Sequence, residues 1–334
     1  MSASAESRVP HGHESTERAT GGRPVVAVIG ATATGKSALG MALAERLPGG
    51  GEIVNADALQ VYRGFDLGTA KPPPAELGRV PHHLIDVLEP HERFSAGAFA
   101  RLARQAIAAI SGRGRWPIVV GGSGLYLRAL LAGISPVPAA DPAVRERLRR
   151  RVAQEGLAEL AAELARLDPE TALRLAPGDT QRVLRALEVA LVSGRPLSAW
   201  IAEQPFGAQK IAAIRVGLTL PRGILYDRIA GRVARMVESG WMEEVRGLLG
   251  RGLDPGLPAF QAIGYRQLVH HVQDDWPLAR AIEETVRATR RFAKRQETWF
   301  RKEPDVTWFS AEDPDRRISQ VVEHVLSGHG EGRG

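Results

Sequence analysis

The sequence predicts an α/β protein in which a doubly wound parallel sheet is interrupted by an all-helical insertion. Short apolar, β-branched runs alternate with helical segments over residues 24–138, which is typical of parallel strands covered by helices on both faces. A glycine-rich turn, GATATGKS, joins the first such run to the first helical segment. Residues 139–208 are helical in composition, and strand-like runs return only after them.

The strands and helices of the sheet region follow from hydrophobic pattern and from turn residues. Strands are predicted at residues 24–29, 52–57, 82–86, 116–122, 211–220 and 305–311. Helices are predicted at residues 36–47, 94–110, 221–240 and about 277–302. The α/β core is therefore predicted to comprise residues 24–138 and 209–312.

The insertion at residues 139–208 is predicted from helix signals. Asp141 followed by Pro142 is a good N-cap and first-turn pair, and the helical segment that follows is expected to break near Gly156. A second helix is expected to stop at Gly194.

The two ends of the chain are predicted to differ from the core. Residues 1–23 contain no hydrophobic stretch that could act as a signal peptide, and they are expected to form a disordered tail. Residues 313–334 are expected to form a C-terminal helix followed by a mobile tail.

Composition narrows the function further. The net charge of +6 favours polyanionic partners, although it also describes many ordinary arginine-rich proteins. The chain has no cysteine, which excludes disulfides, cysteine-ligated zinc and thiol nucleophiles, and suits a reducing compartment such as the cytoplasm. No apolar run approaches the ~18 residues that a membrane helix needs, so no membrane partner is expected.

The glycine-rich turn predicts a phosphate site. Gly30 and Gly35 allow a tight backbone turn that presents N–H groups to phosphate oxygens, and Lys36 adds a positive charge. The hydroxyl of Ser37, at the start of the following helix, can ligate Mg²⁺.

An acidic residue is missing where an ATP hydrolase usually has one. The strand PIVVGG runs into SGLYLRAL and offers no carboxylate to hold a metal or position water. Asp57 instead follows the preceding strand, at the carboxyl edge where the phosphate loop opens. From position alone, it could accept a proton from a substrate lying across the phosphates, or it could cap a turn.

A C-terminal helix is predicted to carry a cationic face. Seven basic residues fall within an arc of about 140° with no acid inside it, while apolar residues lie opposite. They are Arg287, Arg290, Arg291, Lys294, Arg295, Arg301 and Lys302. A polyphosphate backbone would relieve their mutual repulsion, and the alternative is an ordinary solvated face. Arg182 and Arg185 suggest a second anion contact.

Several segments together resemble the tRNA dimethylallyltransferases (tRNA isopentenyltransferases), in their shorter bacterial form. They are GATATGKS, NADALQVYRGFDLGTAKP, PHHLIDVLEPHERFSAGAF, VVGGSGLYLRALL, DTQRVLRALEV, QAIGYRQL and TRRFAKRQETWFR. The resemblance runs in order from about residue 24 to residue 308 and implies a P-loop NTPase-like fold.

The resemblance also implies an activity. Enzymes similar to this chain transfer the dimethylallyl group of dimethylallyl diphosphate to N6 of the adenosine immediately 3′ of the anticodon, A37, in tRNAs that read UNN codons. The expected partners are therefore dimethylallyl diphosphate and the anticodon stem-loop of tRNA, with Mg²⁺ as cofactor and the protein acting as a monomer.

Site residues are implied wherever this sequence matches the motifs of the family. Asp57 would be the general base, Arg232 would stabilise the departing diphosphate, and Ser123 would complete the catalytic set. The diphosphate would bind at Gly30, Ala31, Thr32, Ala33, Thr34, Gly35, Lys36 and Ser37, with Ser37 also holding the metal. The tRNA would be contacted by Asp57, Ala58, Leu59, Gln60, Ser123, Arg145, Gln181, Arg182, Val183, Leu184, Arg185, Gln261, Ala262, Ile263, Gly264, Tyr265, Arg266, Arg291, Lys294 and Arg295.

Some positions depart from the common pattern of the family, and other functions remain open. Ala58, Leu59, Ser123, Gln261 and Gly178 replace residues more frequent in the family, but none of them replaces Asp57, Lys36 or Arg232. An adenylate isopentenyltransferase shares the phosphate cradle and the aspartate but needs no long nucleic-acid surface. A small-molecule kinase and a non-catalytic RNA-binding protein are the remaining alternatives.

Overall fold

The computed structural model of the protein describes residues 23–331 except 177, 206–209 and 274. Its strands are β1 (Val25–Gly30), β2 (Gly51–Asn55), β3 (His82–His83), β4 (Trp116–Val120), β5 (Ala213–Thr219) and β6 (Val306–Ser310). All six belong to one parallel sheet, in the order β3-β2-β4-β1-β5-β6.

Helices connect and flank these strands. In the first half of the chain they are α1 (Lys36–Arg46), α2 (Pro74–Arg79), α3 (Ala96–Gly112), α4 (Gly124–Leu131), α5 (Pro142–Glu155), α6 (Leu157–Leu167) and α7 (Pro169–Arg174). The others are α8 (Thr180–Ser193), α9 (Leu197–Glu203), α10 (Arg222–Glu238), α11 (Trp241–Gly250), α12 (Tyr265–Val272), α13 (Leu278–Phe300) and α14 (Pro314–Glu331), with a 3₁₀ turn at Pro258–Gln261. Among the residues described, no helix is both long and apolar enough to cross a bilayer.

The central strand β1 explains why the phosphate loop lies in the middle of the molecule. Val26 is in register with Ile118 of β4 and Ile214 of β5, and every residue of β1 is buried. A run of β-branched residues is what such a strand requires, because both of its faces pack against helices. The loop that follows β1 therefore opens at the carboxyl edge of the sheet, between two neighbouring strands.

Helices cover both faces of the sheet. One hydrophobic cluster joins α1, α10 and α14 to the sheet through residues such as Leu39, Ile229 and Val321. Another joins α3, α4 and α13 to the opposite face through residues such as Phe99 and Leu130. The predicted doubly wound α/β fold is confirmed.

The predicted insertion forms its own small core. Leu148, Leu160, Leu164 and Leu187 pack together between α5, α6 and α8. The helix break at Gly156 is confirmed, since this residue has a φ of 86° and stands between α5 and α6.

Some elements differ from the sequence-based expectation. The predicted strand 82–86 is only two residues long, because Leu84 and Asp86 adopt left-handed backbone conformations (φ 65° and 53°) that end pairing with β2. The short helices α2, α7 and α9 were not predicted, since fewer than eight residues give almost no periodic signal.

The ends of the chain also differ. Residues 327–331, predicted as part of a mobile tail, continue α14 instead, and Val325 of this helix lies in the core. The predicted disordered tail lies outside the described residues except for Arg23, whose guanidinium stacks over the Trp116 ring at 5.3 Å.

Candidate active site

The loop after β1 is shaped as a phosphate cradle. Gly30 has a φ of 145°, and a Cβ there would lie 2.7 Å from the carbonyl oxygen of Leu218, so only glycine fits. Gly35 (φ 89°) is the N-cap of α1, whose first-turn N–H groups are free to bind an anion. The Thr34 hydroxyl donates to the carbonyl of Ala31 at 2.8 Å and closes the loop on itself.

Gln296 of α13 anchors this loop from the opposite side. Its side-chain oxygen accepts from the N–H of Thr32 at 2.8 Å, and its amide nitrogen donates to the carbonyl of Gly122 at 2.9 Å. Gln296 is only 6% exposed, and sequence reasoning missed it. The one available signal was a polar residue placed between Ala293 and Phe300 on the apolar side of the cationic helix.

Asp57 lies two residues beyond the end of β2 and is held by local hydrogen bonds. Its Oδ1 accepts from the N–H of Leu59 at 2.8 Å, and its own N–H donates to Oδ1 of Asn55 at 3.1 Å. Asn55 is buried and donates to the carbonyl of Leu84 at 3.0 Å, which ties this turn to the chain beyond β3. One carboxylate oxygen is therefore fixed, and the other makes no hydrogen bond with any described residue.

Two cations share the cradle with this carboxylate. Nη1 of Arg232, on α10, donates to the hydroxyl of Thr32 at 3.3 Å, and Nζ of Lys36 donates to the carbonyl of Ala31 at 2.7 Å. Burial, assisted by the charge of Arg232, lowers the pKa of Lys36 to about 8, although Asp57 opposes the shift. Burial also lowers the pKa of Arg232, again against the effect of Asp57. A bound polyanion would stabilise the charged forms of both side chains.

Two cavities meet at these residues. A small polar cavity of about 110 Å³ is lined by Lys36, Ser37 and Asp57. A larger chamber of about 790 Å³ has a mainly apolar lining, including Val233 and Met236. The two share part of their walls. The shared residues include Thr32, Asp57, Arg232 and Gln296.

A magnesium ion would bind in the small cavity only if substrate phosphates supplied some of its ligands. Ser37 is exposed at the start of α1 and lines the same cavity as Asp57. Across the described part of the chain, no group of three or more histidine, cysteine or acidic side chains is arranged to hold a metal. Mg²⁺ commonly binds through one or two protein ligands plus substrate phosphates and water, so this sparse set is compatible with it.

Comparison with known proteins identifies the family. The family model for IPP transferase matches residues 60–303. The tRNA dimethylallyltransferase of Syntrophobacter fumaroxidans is 45% identical over 306 residues, covering 92% of this chain and 89% of the relative. The chain belongs to the IPP transferase family of tRNA dimethylallyltransferases. The resemblance read from the motifs is therefore confirmed.

Other relatives of the family agree. The tRNA dimethylallyltransferase of Kocuria rhizophila is 49% identical over 292 residues, covering 87% of this chain and 91% of the relative. The crystal structure of the full-length tRNA isopentenylpyrophosphate transferase from Bacillus halodurans is 38% identical, with a TM-score of 0.68, and covers 92% of this chain and 97% of that one. A eukaryotic dimethylallyltransferase acting on tRNA is 26% identical, with a TM-score of 0.78, covering 92% and 80%.

The residues predicted to contact tRNA have different surroundings in this family member. Some are exposed or line the large chamber. This group comprises Ala58, Leu59, Ser123, Gln181, Arg182, Gln261, Ile263, Arg266, Arg291, Lys294 and Arg295. Gln60 instead lines the small cavity and donates to the carbonyls of Thr69 and Ala70. Ser123 is the N-cap residue of α4, but its hydroxyl makes no capping hydrogen bond.

Five other residues predicted to contact tRNA are buried in this structure. Val183 and Leu184 pack in the core of the insertion, and Ala262 lies in a third hydrophobic cluster. Tyr265 is fully buried, and its hydroxyl receives a hydrogen bond from the N–H of Gly68 at 3.1 Å. Gly264 is buried at the N-terminus of α12. Ala262 also lines the large chamber, and contact between these five positions and tRNA stays a prediction.

Two predicted anion contacts are already engaged within the protein. The carboxylate of Glu188, fully buried in α8, pairs with Arg145 at 2.6 Å and with Arg185 at 2.8 Å. It also accepts from the N–H of Asp141 at 2.9 Å, which joins α5 to α8. Arg145 and Arg185 are half-buried, and both neutralise this carboxylate in the structure.

The cationic face of α13 is only partly unpaired, which corrects the expectation that no acid neutralises it. Arg287 pairs with both Glu283 and Glu284 at 2.8 Å. Arg290 packs its guanidinium over the ring of Tyr226, with 4.9 Å between guanidinium carbon and ring centroid. Three cations in the middle of the face are exposed and form no ion pair with any residue the structure describes. They are Arg291, Lys294 and Arg295.

Proposed function

We propose that this protein transfers the dimethylallyl group of dimethylallyl diphosphate to N6 of adenosine 37 in tRNAs that read UNN codons. The products are N6-isopentenyladenosine and diphosphate. The observation that carries the proposal is that Lys36 and Asp57 line one cavity, while Asp57 also lines the adjoining large chamber. A phosphate cradle and an accessible carboxylate thus lie at one junction, where a donor and an acceptor can meet.

The cradle would act on the donor. As the bond between C1 of the allyl group and the diphosphate oxygen breaks, negative charge grows on the leaving group. The N–H groups at the start of α1, the Lys36 ammonium and the Arg232 guanidinium are already directed at that region, so they stabilise charge where it develops. The hydrogen bond from Arg232 to Thr32 keeps this cation at the mouth of the loop.

Asp57 would act on the acceptor. Adenine N6 is a poor nucleophile because its lone pair is delocalised into the ring, so its proton must leave as the N6–C1 bond forms. The N–H of Leu59 fixes one oxygen of Asp57, which leaves the other to accept that proton. The target base must leave its stack to enter the chamber, and phosphate contacts elsewhere on the tRNA would offset that cost of a few kcal/mol.

Mg²⁺ is proposed as the cofactor, with Ser37 as its protein ligand. When bound, it would supply positive charge to the diphosphate. The protein's own cations remain necessary, because each contacts or lines a different part of the cradle.

The exposed cations of α13 support the choice of tRNA over a mononucleotide acceptor. Arg291, Lys294 and Arg295 are unpaired among the described residues, and a ribose-phosphate backbone would neutralise them. We further propose that the protein acts as a monomer in the cytoplasm, since a chain without cysteine suits a reducing compartment.

The test is incubation of the purified protein with dimethylallyl diphosphate, Mg²⁺ and unmodified tRNA, followed by mass spectrometry of the nucleosides. Isopentenyladenosine at position 37 of UNN-reading tRNAs is the expected product. Parallel reactions with AMP in place of tRNA discriminate against an adenylate isopentenyltransferase. Absence of product on every UNN-reading tRNA would contradict the proposal, as would a preference for AMP.

A further inference from the structure

Arg317, in the first turn of α14, is a buried cation without a counter-ion. Its side chain lies under the surface, with the whole residue only 3% exposed. Its Nε is buried and has no hydrogen-bond partner. Within the described ranges, no carboxylate lies within 4 Å of its guanidinium, so no ion pair compensates the charge. Burying a charge in this way is costly unless something else neutralises it.

The guanidinium points at the phosphate loop. Its Nη1 and Nη2 lie 3.6 and 3.8 Å from the position that a Cβ on Gly35 would occupy. Gly35 is the N-cap of α1, and the residues that follow it, Lys36 and Ser37, line the small polar cavity. Arg317 therefore lies against the backbone of the phosphate loop at Gly35.

The surroundings of Arg317 add further positive charge. Arg228 of α10 lies close by and donates to the carbonyl of Ala311 at 3.2 Å. Burial, followed by the charge of Arg228, lowers the pKa of Arg317, while Asp313 and Asp315 oppose the shift. Both aspartates are exposed at the start of α14, where water screens them. Arg317 and Arg228 are thus neighbouring cations, and neither forms an ion pair with a described residue.

We propose that Arg317 is a positioning residue for the donor diphosphate, which acts across the phosphate loop at Gly35. The inference rests on the proposed function for the identity of the ligand, and its chemical class is a diphosphate anion. An anion in the cradle would neutralise a guanidinium that the protein leaves unpaired. By reciprocity, the guanidinium strengthens anion binding in the cradle. The C-terminal helix α14 is then part of the donor site.

The test compares Arg317→Met, Arg317→Lys and the control Arg316→Met. Arg316 is the neighbouring residue on α14 and is exposed, so its substitution removes the same charge outside the buried site. Calorimetric titration with inorganic pyrophosphate should show about tenfold weaker binding for Arg317→Met, equivalent to about 1.4 kcal/mol. Binding by Arg317→Lys and by Arg316→Met should stay within about threefold of the wild type.

Thermal unfolding separates this role from a structural one. Without ligand, Arg317→Met should unfold at the same temperature as the wild type or higher, because an unpaired buried charge has been removed. Pyrophosphate should then raise its unfolding temperature by less than it raises that of the wild type. In steady-state assays, kcat/KM for dimethylallyl diphosphate should fall, while the KM for tRNA stays unchanged.

Three results would overturn the inference. One is an unchanged pyrophosphate affinity in Arg317→Met, and a second is an equal loss of affinity in Arg316→Met. The third is a lower unfolding temperature of ligand-free Arg317→Met together with weaker pyrophosphate binding, which would attribute the loss of affinity to a destabilised fold. If Arg317→Met does not fold, Arg317→Gln replaces it under the same criteria. Failure of the wild type to make isopentenyladenosine would refute the proposed function but leave the pyrophosphate comparison valid.

Discussion

The side-chain oxygen of Gln296 accepts a hydrogen bond from the backbone N–H of Thr32 at 2.8 Å, across 264 residues of sequence. The same amide donates to the carbonyl of Gly122 at 2.9 Å. One buried side chain thus joins α13 to the loops that follow β1 and β4. Because α13 also carries the exposed cations, this contact couples the predicted nucleic-acid face to the phosphate cradle.

Gln296→Ala should destabilise the protein and weaken donor binding. The substitution leaves the N–H of Thr32 and the carbonyl of Gly122 without partners, and each buried unsatisfied group costs about 1–3 kcal/mol. We expect a loss of about 2–4 kcal/mol in the free energy of unfolding, measured by urea titration, and weaker pyrophosphate binding. Gln320→Ala, at an exposed position on α14, is the control and should change neither quantity. If Gln296→Ala binds pyrophosphate as tightly as the wild type, the contact between Gln296 and the phosphate loop is not needed for donor binding.

Asp57→Ala should remove turnover and spare tRNA binding. Loss of a general base typically costs about 10²- to 10⁴-fold in rate, and single-turnover measurements would report it directly. Filter-binding or fluorescence titration should give a tRNA affinity close to that of the wild type. Asp227→Asn, at an exposed position on α10, is the control and should keep full activity. If Asp57→Ala keeps a near-normal rate, Asp57 is not the general base.

Pyrophosphate affinity should fall as pH rises from 7 to 9. The pKa of Lys36 is lowered to about 8 in the ligand-free protein, so its ammonium is lost through this range while an anion favours the charged form. Lys36→Arg keeps its charge throughout and is the control. Titrations of both proteins at several pH values should therefore diverge, and parallel pH profiles would contradict the expectation.

The lowered pKa of Lys36 also predicts how the free energy of unfolding changes with pH. The folded-state pKa of Lys36 is below its ordinary value of 10.5, so between about pH 8 and 10.5 the unfolded chain binds the proton that the folded protein has lost. Stability contributed by this group therefore rises with pH in that window. Urea unfolding of the wild type relative to Lys36→Arg would measure it, and a relative loss of stability with rising pH would oppose the assignment.

Neutralising the exposed cations of α13 should flatten the salt dependence of tRNA binding. Each phosphate contact contributes a slope of about 0.7–0.9 in log K against log salt. Replacing Arg291, Lys294 and Arg295 together by glutamine should reduce the magnitude of the slope by about 2–3. Arg287→Gln is the matched control, because Glu283 and Glu284 already neutralise that residue. An equal effect per charge in the control would mean that only net charge matters.

Glu188→Gln should destabilise the helical insertion. The substitution leaves Arg145 and Arg185 half-buried without their common carboxylate, and breaking a buried ion pair in this way typically costs about 3–5 kcal/mol. Thermal unfolding would measure the effect, and hydrogen exchange would show whether the backbone amides of the insertion lose protection. Glu159→Gln, at an exposed position on α6, should be neutral. A stability unchanged by Glu188→Gln would show that the two arginines find other partners.

The sequence by itself determined the sheet, the phosphate loop and the helix break at Gly156. Each is encoded locally: β1 by a β-branched run, the loop by Gly30 and Gly35 at positive φ, and the break between α5 and α6 by Gly156. Asp57 could be placed at the carboxyl edge because parallel strands end on the same side of a sheet.

Tertiary structure alone decided which polar side chains converge on the site and which are used elsewhere. Gln296 hydrogen-bonds to Thr32, Arg317 lies against the phosphate loop at Gly35, and Arg145 pairs with Glu188, because packing brings together residues far apart in sequence. A helical pattern fixes which face of α8 or α13 is apolar, but it does not show which residues contact the polar face. The partners of buried charges are set by the arrangement of whole helices, and no local pattern records that arrangement.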